Sequence, residues 1–580
     1  MRLVTHFLLS ISICLPFANV VAQETADLIL RGGKVVTVDA AIPDGQAIAI
    51  AGEKILAVGS NNEIAALATP QTKTIELNGR LVIPGFIEGH GHFIRTGQSK
   101  MMLDLSQANS WDDVAEQVRE AVTQTPPGEW IVGRGWHQEK WSVKPEILIE
   151  GYPTHEKISA VSPDNPVLLT HASGHMCFAN DVAMQQAGIT KYTEAPSGGE
   201  ILHDLKGEPI GIFRETAQSL INRSFANTIA NQSPETRQQL AERAVQLAVK
   251  ECFENGITSF QDAGSSFQEI ASLKAMAEQG KIGVRLWIMV RDHLELMEDN
   301  LPRAKVTRYA NNFFTVGGIK LSLDGALGAH GAWLLMPYED LSSSVGLNTA
   351  PMETAKALAD LAIKHGYQYC VHAIGDRANR EVLNIFEEAF HKNPSLQPRR
   401  WRIEHAQHLH PDDIPRFGEL GVIAAMQGIH CTSDAVFVLQ RLGMRRSEEG
   451  AYVWQKLLKS GAVIANGTDV PVENIDPLAS FYATTTRKLK NGNAFFPEQK
   501  MTREEALRSY TLDCAYAAFE EDVKGSLTPG KLADLVVLSK DILTCPDEQI
   551  REAKIDYTII GGQMVFDRIA SEQAPQGTKD

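Results

Sequence analysis

Leu81-Val82-Ile83-Pro84-Gly85-Phe86-Ile87-Glu88-Gly89-His90-Gly91-His92 is the stretch whose reading decides the fold of this chain. Residues 81–87 read as a buried strand interrupted by Pro84 and Gly85. The strand runs into two histidines one residue apart. On an extended backbone side chains repeat every second residue, so His90 and His92 point to the same side. Two imidazoles on one side can grip one cation, and imidazole suits Zn²⁺ and similar metals. A lone His-x-His is a weak signal. It gains weight only if further ligand-type residues end later strands.

Working outward, the middle of the chain alternates apolar strands with helical stretches, which implies a parallel sheet covered by helices. Candidate strands are 81–87, 258–261, 284–290, 318–323, 368–372, 401–405, 422–426 and 463–467, with helical patterns at 353–364, 379–391 and 411–420. Such repeated units predict an α/β fold built on a (β/α)8 TIM barrel. The gap between the first and second strands far exceeds a βα loop of roughly 2–6 residues. It contains its own strands (129–134, 166–170) and helices (111–123, 235–253), and reads as a large insertion after barrel strand 1, about 95–250. Short strands flanked by glycine turns occupy both chain ends. The economical reading is one small composite β-sandwich from residues 23–80 and 523–570, with the barrel, 81–522, inserted between its halves.

Barrel enzymes react at the C-terminal ends of their strands. His90 and His92 end the first strand, Lys320 lies in the fourth, His372 ends the fifth, His405 ends the sixth and Asp469 follows the eighth. Singly, His372 or His405 could be a satisfied core histidine and Asp469 a helix cap. Jointly, at matching strand ends, they predict a metal centre.

The pattern resembles the metal-dependent amidohydrolase superfamily, and within it the amidohydrolase family 3 branch, the YtcJ-like proteins that include N-substituted formamide deformylases. The resemblance is carried by Gly-Arg-Gly-Trp (133–136), Gly-Ile-Thr-Ser (256–259), Lys-Leu-Ser-Leu-Asp-Gly (320–325), Arg-Ile-Glu-His-Ala-Gln (402–407) and Leu-Thr-Pro-Gly-Lys-Leu-Ala-Asp-Leu (527–535). Ala329-His330 stands where that branch often has Ser-Arg, and Gly467-Thr468-Asp469 where it has Gly-Ser-Asp. The first departure bears on substrate identity. The resemblance implies a metal set of His90, His92, Lys320, His372, His405 and Asp469, holding one or two divalent ions, with Zn the expected metal.

Lys320 cannot stay cationic beside divalent ions, because a +1/+2 pair at about 4 Å costs roughly 8 kcal/mol at an effective dielectric of about 20. A neutral amine can capture CO₂ as a carbamate that bridges two metals, and the resemblance implies this carboxylated lysine. The alternative is that Lys320 faces a substrate carboxylate near a single metal. A metal brings the pKa of bound water from about 15.7 to about 7. Asp469 is then expected to take the proton of the attacking water and hand it to the leaving nitrogen. His175 could hydrogen-bond the tetrahedral oxyanion, or be a plain loop histidine. Trp136 is a candidate for substrate contact, with His137 and Trp141 beside it, against packing within the insertion. Asp324 is read as a substrate-side or supporting residue, with Gln427 a further partner for metal histidines. His330 is a substrate-contact candidate, and Asp376 and Arg377 read as the start of a helix.

The expected function is metal-dependent hydrolysis of an N-acyl, N-formyl or cyclic amide. Deamination or ester hydrolysis at the same site, and non-catalytic metal binding in a regulatory protein, are the alternatives. The net charge of −16 excludes the basic footprint nucleic acid requires. No run is long enough for a stable membrane span, so the expected partner is a small-molecule substrate, with a homodimer as an allowed assembly. Arg2, the apolar Phe7–Leu15 stretch and Val20-Val21-Ala22 read as a signal peptide, 1–22, which predicts export to the periplasm or beyond. Lipidation at Cys14 is a minor alternative. The other six cysteines are widely scattered, which leaves room for a bridge or two but no disulfide scaffold.

Overall fold

The computed structural model describes residues 24–573. The signal stretch 1–22 and Cys14 lie outside the described residues. Eight parallel strands make the barrel: β1 (Phe86–Gly91), β2 (Ile257–Ser265), β3 (Arg285–Val290), β4 (Phe314–Ser322), β5 (Gln368–Ala373), β6 (Arg402–His405), β7 (Ile423–Gln427) and β8 (Ile464–Gly467). They hydrogen-bond in chain order from β1 to β8, the arrangement of a (β/α)8 TIM barrel. Helices such as Met352–His365 after β4 and Asp376–Lys392 after β5 lie outside it. Asp376 opens the latter helix, as its position in the sequence suggested.

The seam between β8 and β1 is closed largely by side chains. Asp469 N–H donates to His90 O at 2.7 Å, and the Glu88 carboxylate accepts from Thr468 N–H and Thr468 Oγ1, both at 2.7 Å. Glycine is required here by space. A Cβ on Gly467 would lie 2.3 Å from Glu88 Oε1 and 2.5 Å from His90 N, and one on Gly89 would lie 2.4 Å from Asn466 O.

The expected first strand, 81–87, is two strands. Leu81–Pro84 pairs antiparallel with Leu535–Leu538 and parallel with Lys34–Val35, while Phe86–Gly91 enters the barrel. The break falls at Pro84-Gly85. Proline has no N–H to offer a ladder, and at Gly85 a Cβ would sit 2.2 Å from the Thr258 side chain. The two chain ends therefore meet, but as one continuous eight-stranded sheet. Leu30, Ile48 and Val82 from the first half share a core with Leu535, Val537 and Ile559 from the second. Gly32-Gly33, one of the glycine pairs expected to turn the chain, does not end a strand. Leu28–Val35 runs on as one strand, and the register shifts between Arg31 and Val35, as a bulge does.

The insertion forms its own six-stranded sheet, with strands Leu103–Asp104, Ile131–Trp136, Val167–His171, Met176–Ala179, Pro209–Glu215 and Gly199–His203 in spatial order. Its core holds Trp111, Trp136, Trp141 and Phe178. Helix Pro234–Glu254 buries Val245, Ala248 and Cys252 in the barrel core and belongs to the barrel's outer layer. All six cysteines among the described residues are free, and no described helix is long and apolar enough to cross a membrane.

Candidate metal centre and active site

His90 is buried at the end of β1 and is fixed from behind. Its Nδ1 meets Glu404 Oε2, and Glu404 is itself gripped by Arg402 through Nε (2.7 Å) and Nη2 (3.0 Å). Arg402 also donates to Gly89 O at 2.7 Å. Burial pushes the Glu404 carboxyl up, but Arg402 and His90 outweigh it and hold the group at about 2. An ionised Glu404 accepts the Nδ1–H, which leaves the Nε2 lone pair facing the barrel mouth. That Nε2 has no hydrogen-bond partner and lies 3.6 Å from Asp469 Oδ1.

His92 Nε2 is 3.3 Å from the same carboxylate oxygen. One ligand atom from each of His90, His92 and Asp469 lies within 4.8 Å of the other two. Burial lowers the His90 imidazole and takes His92 down to about 3, so both are neutral ligands. Burial acts to raise Asp469, but His92 and His90 hold its carboxyl well below the usual range. Asp469 sits at φ +57°, a left-handed conformation that asparagine and aspartate adopt more readily than bulky residues. His405 shares that strain at φ +74°.

The remaining candidates gather beside this trio. His405 lies 4.8 Å from His90 and 4.3 Å from His372, and His175 lies 5.1 Å from His372, all between ring centroids. Burial keeps His372 and His405 neutral. Lys320 is buried in β4, opposite Cys370, and burial draws its amine down to about 8. His372 Nε2 and His405 Nδ1, like His90 Nε2 and Asp469 Oδ1, are buried without a hydrogen-bond partner. Orphaned polar atoms are rare in protein interiors. Four of them on one barrel mouth, with neutral nitrogen and anionic oxygen donors, fit a divalent cation.

His175 reaches this mouth from the insertion. Its Nδ1 is 2.8 Å from Glu215 Oε2. Burial opposes its protonation, but Glu215 prevails and raises the imidazole's pKa. A Cβ on Gly325 or Gly331 would lie 2.1 or 2.2 Å from Glu215 Oε1, so two barrel-side glycines make room for this carboxylate. His175, His405 and Asp469 line one cavity with His137, Gln407 and His430.

Three expected substrate contacts do not reach that cavity. Trp136 is fully buried against Trp111 and Trp141 and donates its Nε1–H to Leu169 O at 3.0 Å. Side chains alternate along a strand, and it is the next residue, His137, that turns to the cavity. Asp324 is fully buried beside His372, 3.5 Å from its Nε2. It accepts the backbone N–H groups of Trp333, Ile374 and Gly375 at 2.8–2.9 Å, and burial raises it to about 7. Its capacity is spent on fixing the β4 and β5 loops. His330 is turned away, 3.2 Å from Asp340 and edge-on to Tyr338, while Ala326, Leu327 and Gly328 line the cavity.

Sequence reasoning missed Glu215 and His430. His430 follows β7, is buried, stacks 6.2 Å from His405 and has an unpartnered Nε2. The search of strand ends that found His405 reaches it in Met-Gln-Gly-Ile-His (426–430). Gln427, the residue singled out there, donates to Ala425 O of its own strand at 3.2 Å. Glu215 carries no signal in sequence, since only the folded insertion brings it to His175.

A family model described as Amidohydrolase family matches residues 73–566. The chain is 32% identical over 560 residues to the protein LONG AFTER FAR-RED 3 of Arabidopsis thaliana, covering 94% of this chain and 92% of that one. It is 27% identical over 559 residues to the N-substituted formamide deformylase of Arthrobacter pascens, covering 94% of this chain and all (100%) of the relative. A crystal structure of a metal-dependent hydrolase from Pyrococcus horikoshii shares the fold with a TM-score of 0.71 at 24% identity, over 90% of this chain and 99% of that one.

Proposed function

The chain belongs to the amidohydrolase family and is a hydrolase acting on carbon–nitrogen bonds, and from that premise we propose that it hydrolyses the amide bond of a small N-acyl or N-formyl compound. The observation that carries this reading is the convergence of His90 Nε2, His92 Nε2 and Asp469 Oδ1 within 4.8 Å at the barrel mouth.

His90, His92 and Asp469 would hold a divalent cation, Lys320, His372 and His405 would complete the site for a second, and zinc is the metal their neutral nitrogens and carboxylate suit best. Such a cation makes water acidic at neutral pH and polarises a carbonyl oxygen. Asp469 supplies the proton traffic. Its ionised carboxylate takes a proton from the water that adds to the carbonyl carbon, and returns it to the nitrogen as the C–N bond breaks. The products are a carboxylic acid and an amine. His175, whose affinity for a proton Glu215 raises, donates a hydrogen bond to the oxyanion that forms as water adds. Burial lowers the Lys320 amine to about 8, which enlarges the share of the neutral form that can take up CO₂.

Export belongs to the same reading and rests on residues 1–22; an N-terminus near residue 23 on the mature protein would support it. The test of function is metal analysis of the purified protein with assay of N-formyl and N-acetyl amines. Bound zinc with turnover that a chelator abolishes is the expected result. Full activity without metal, or zinc with no amide turnover, would overturn it.

A further inference from the structure

One wall of the cavity carries a carboxylate that the mechanism leaves unused. Asp434 lines the cavity with Gln407 and His430. It stands one turn past His430, with its N–H on His430 O at 2.8 Å, and His430 in turn stacks on His405. Two neutral donors fix the carboxylate, both at the same oxygen. Tyr452 OH donates to Asp434 Oδ2 at 2.7 Å, and Gln407 Nε2 donates to it at 3.2 Å. The other oxygen, Oδ1, has only the hydroxyl of its chain neighbour Ser433, at 3.5 Å.

Asp434 forms no salt bridge among the described residues. Glu88 and Asp262, buried in the same barrel without a cationic partner, are satisfied at both oxygens. Glu88 accepts His90 N–H and Thr468 N–H on Oε1 and Thr468 Oγ1 on Oε2. Asp262 accepts Phe93 N–H on Oδ1 and Ser265 Oγ on Oδ2. Asp434 differs in being partly buried at the cavity with one oxygen to spare. No cation in the lining serves it. Lys140, the one lysine or arginine there, faces Glu473 at 3.4 Å, and His175 is held by Glu215. Phe437, Leu327 and Val472 give the same cavity apolar wall.

A carboxylate withdrawn from bulk water needs a partner, and a charged N–H donor is the strongest it can take. Tyr452 and Gln407 hold this one in a fixed orientation before any ligand arrives, which lowers the cost of binding. The apolar side chains beside it suit methylene groups. We propose that Asp434 binds a basic nitrogen on the substrate, so that the amides cleaved carry an ammonium group set off from the scissile bond by a short aliphatic spacer. The inference rests on the amide-hydrolase reading of the same site.

The test compares kcat/KM of the zinc-loaded enzyme for mono-formylated and mono-acetylated aliphatic diamines, for amides of ω-amino acids, and for alkyl amides of matching length without the amino group. A preference of about tenfold or more for an ammonium-bearing series is expected, carried mainly by KM. Whichever series is favoured shows on which side of the amide the cation sits. Asp434→Asn should cut the preference by about tenfold, and Asp434→Glu should restore part of it. A merely structural role for Asp434 would shift KM for charged and neutral amides alike and would overturn the inference, as would a preference that Asp434→Asn leaves intact. Equal turnover of charged and neutral amides by the native enzyme, or faster turnover of the neutral ones, would overturn it and leave amide hydrolysis standing. Turnover of no amide would overturn both.

Discussion

Glu404 on β6 holds His90 on β1 through its Nδ1, although the two strands are separated by β7 and β8 around the barrel. One carboxylate thus fixes the tautomer of a metal ligand and neutralises Arg402, which is buried with it.

Glu404→Gln should weaken metal binding by about 10–100-fold, the usual effect of losing the partner of a ligating histidine. Leaving Arg402 buried without its anion should also cost roughly 3–5 kcal/mol. Competition with a graded chelator and thermal melting read the two effects separately. Native metal affinity in this variant would show that His90 needs no such support.

Asp469→Asn should retain the fold, because asparagine tolerates the left-handed backbone at this position. Turnover should fall by about 10²–10⁴-fold with loss of the proton carrier. Activity within a few-fold of the native enzyme, with metal still bound, would remove Asp469 from that role.

Gly467→Ala places a methyl group against Glu88 and the His90 backbone at the barrel seam. Overpacking of this kind should cost roughly 1–3 kcal/mol and lower metal content, because β1 carries His90 and leads directly into His92. A normal melting temperature with normal metal occupancy would mean that the seam can yield.

Asp513 gives a pH-dependent prediction away from the metal. Burial raises its carboxyl to about 6, with Arg508 only partly offsetting it. The folded protein therefore holds this proton more tightly than the unfolded chain does. The group contributes stability below the unfolded value of 3.8 and loses it as pH rises through about 6. Asp513→Asn should thus be stabilising at pH 7, by roughly 1–3 kcal/mol, with the gain vanishing near pH 4. An equal effect on melting at both pH values would contradict this.

Local chemistry that repeats along the chain was legible in sequence. The eight barrel strands follow from apolar runs, and those of β1, β5, β6 and β8 lead into the histidines and aspartate of the site. Features that depend on which neighbour a backbone finds were not. Leu81–Pro84 is as apolar as Phe86–Gly91, and only pairing with Leu535–Leu538 assigns it to another sheet. Trp136 and His137 both suit a pocket lining, and the phase of one strand decides between them. Glu215 reaches His175 across 40 residues of insertion, a distance that no local pattern encodes.

The sheet that joins the chain's two ends also sets a timetable. Leu28–Val35 leaves the ribosome early, but Leu535–Leu538 and Ile555–Ile560 complete its sheet. At roughly 5–20 residues per second, translation of the intervening segment lasts roughly 25–100 s. Throughout that time the first strands expose open edges that can aggregate. C-terminal truncation before Leu535 should therefore leave Leu81–Pro84 with an open edge, while Leu28–Val35 keeps its pairing with Gly45–Ala51.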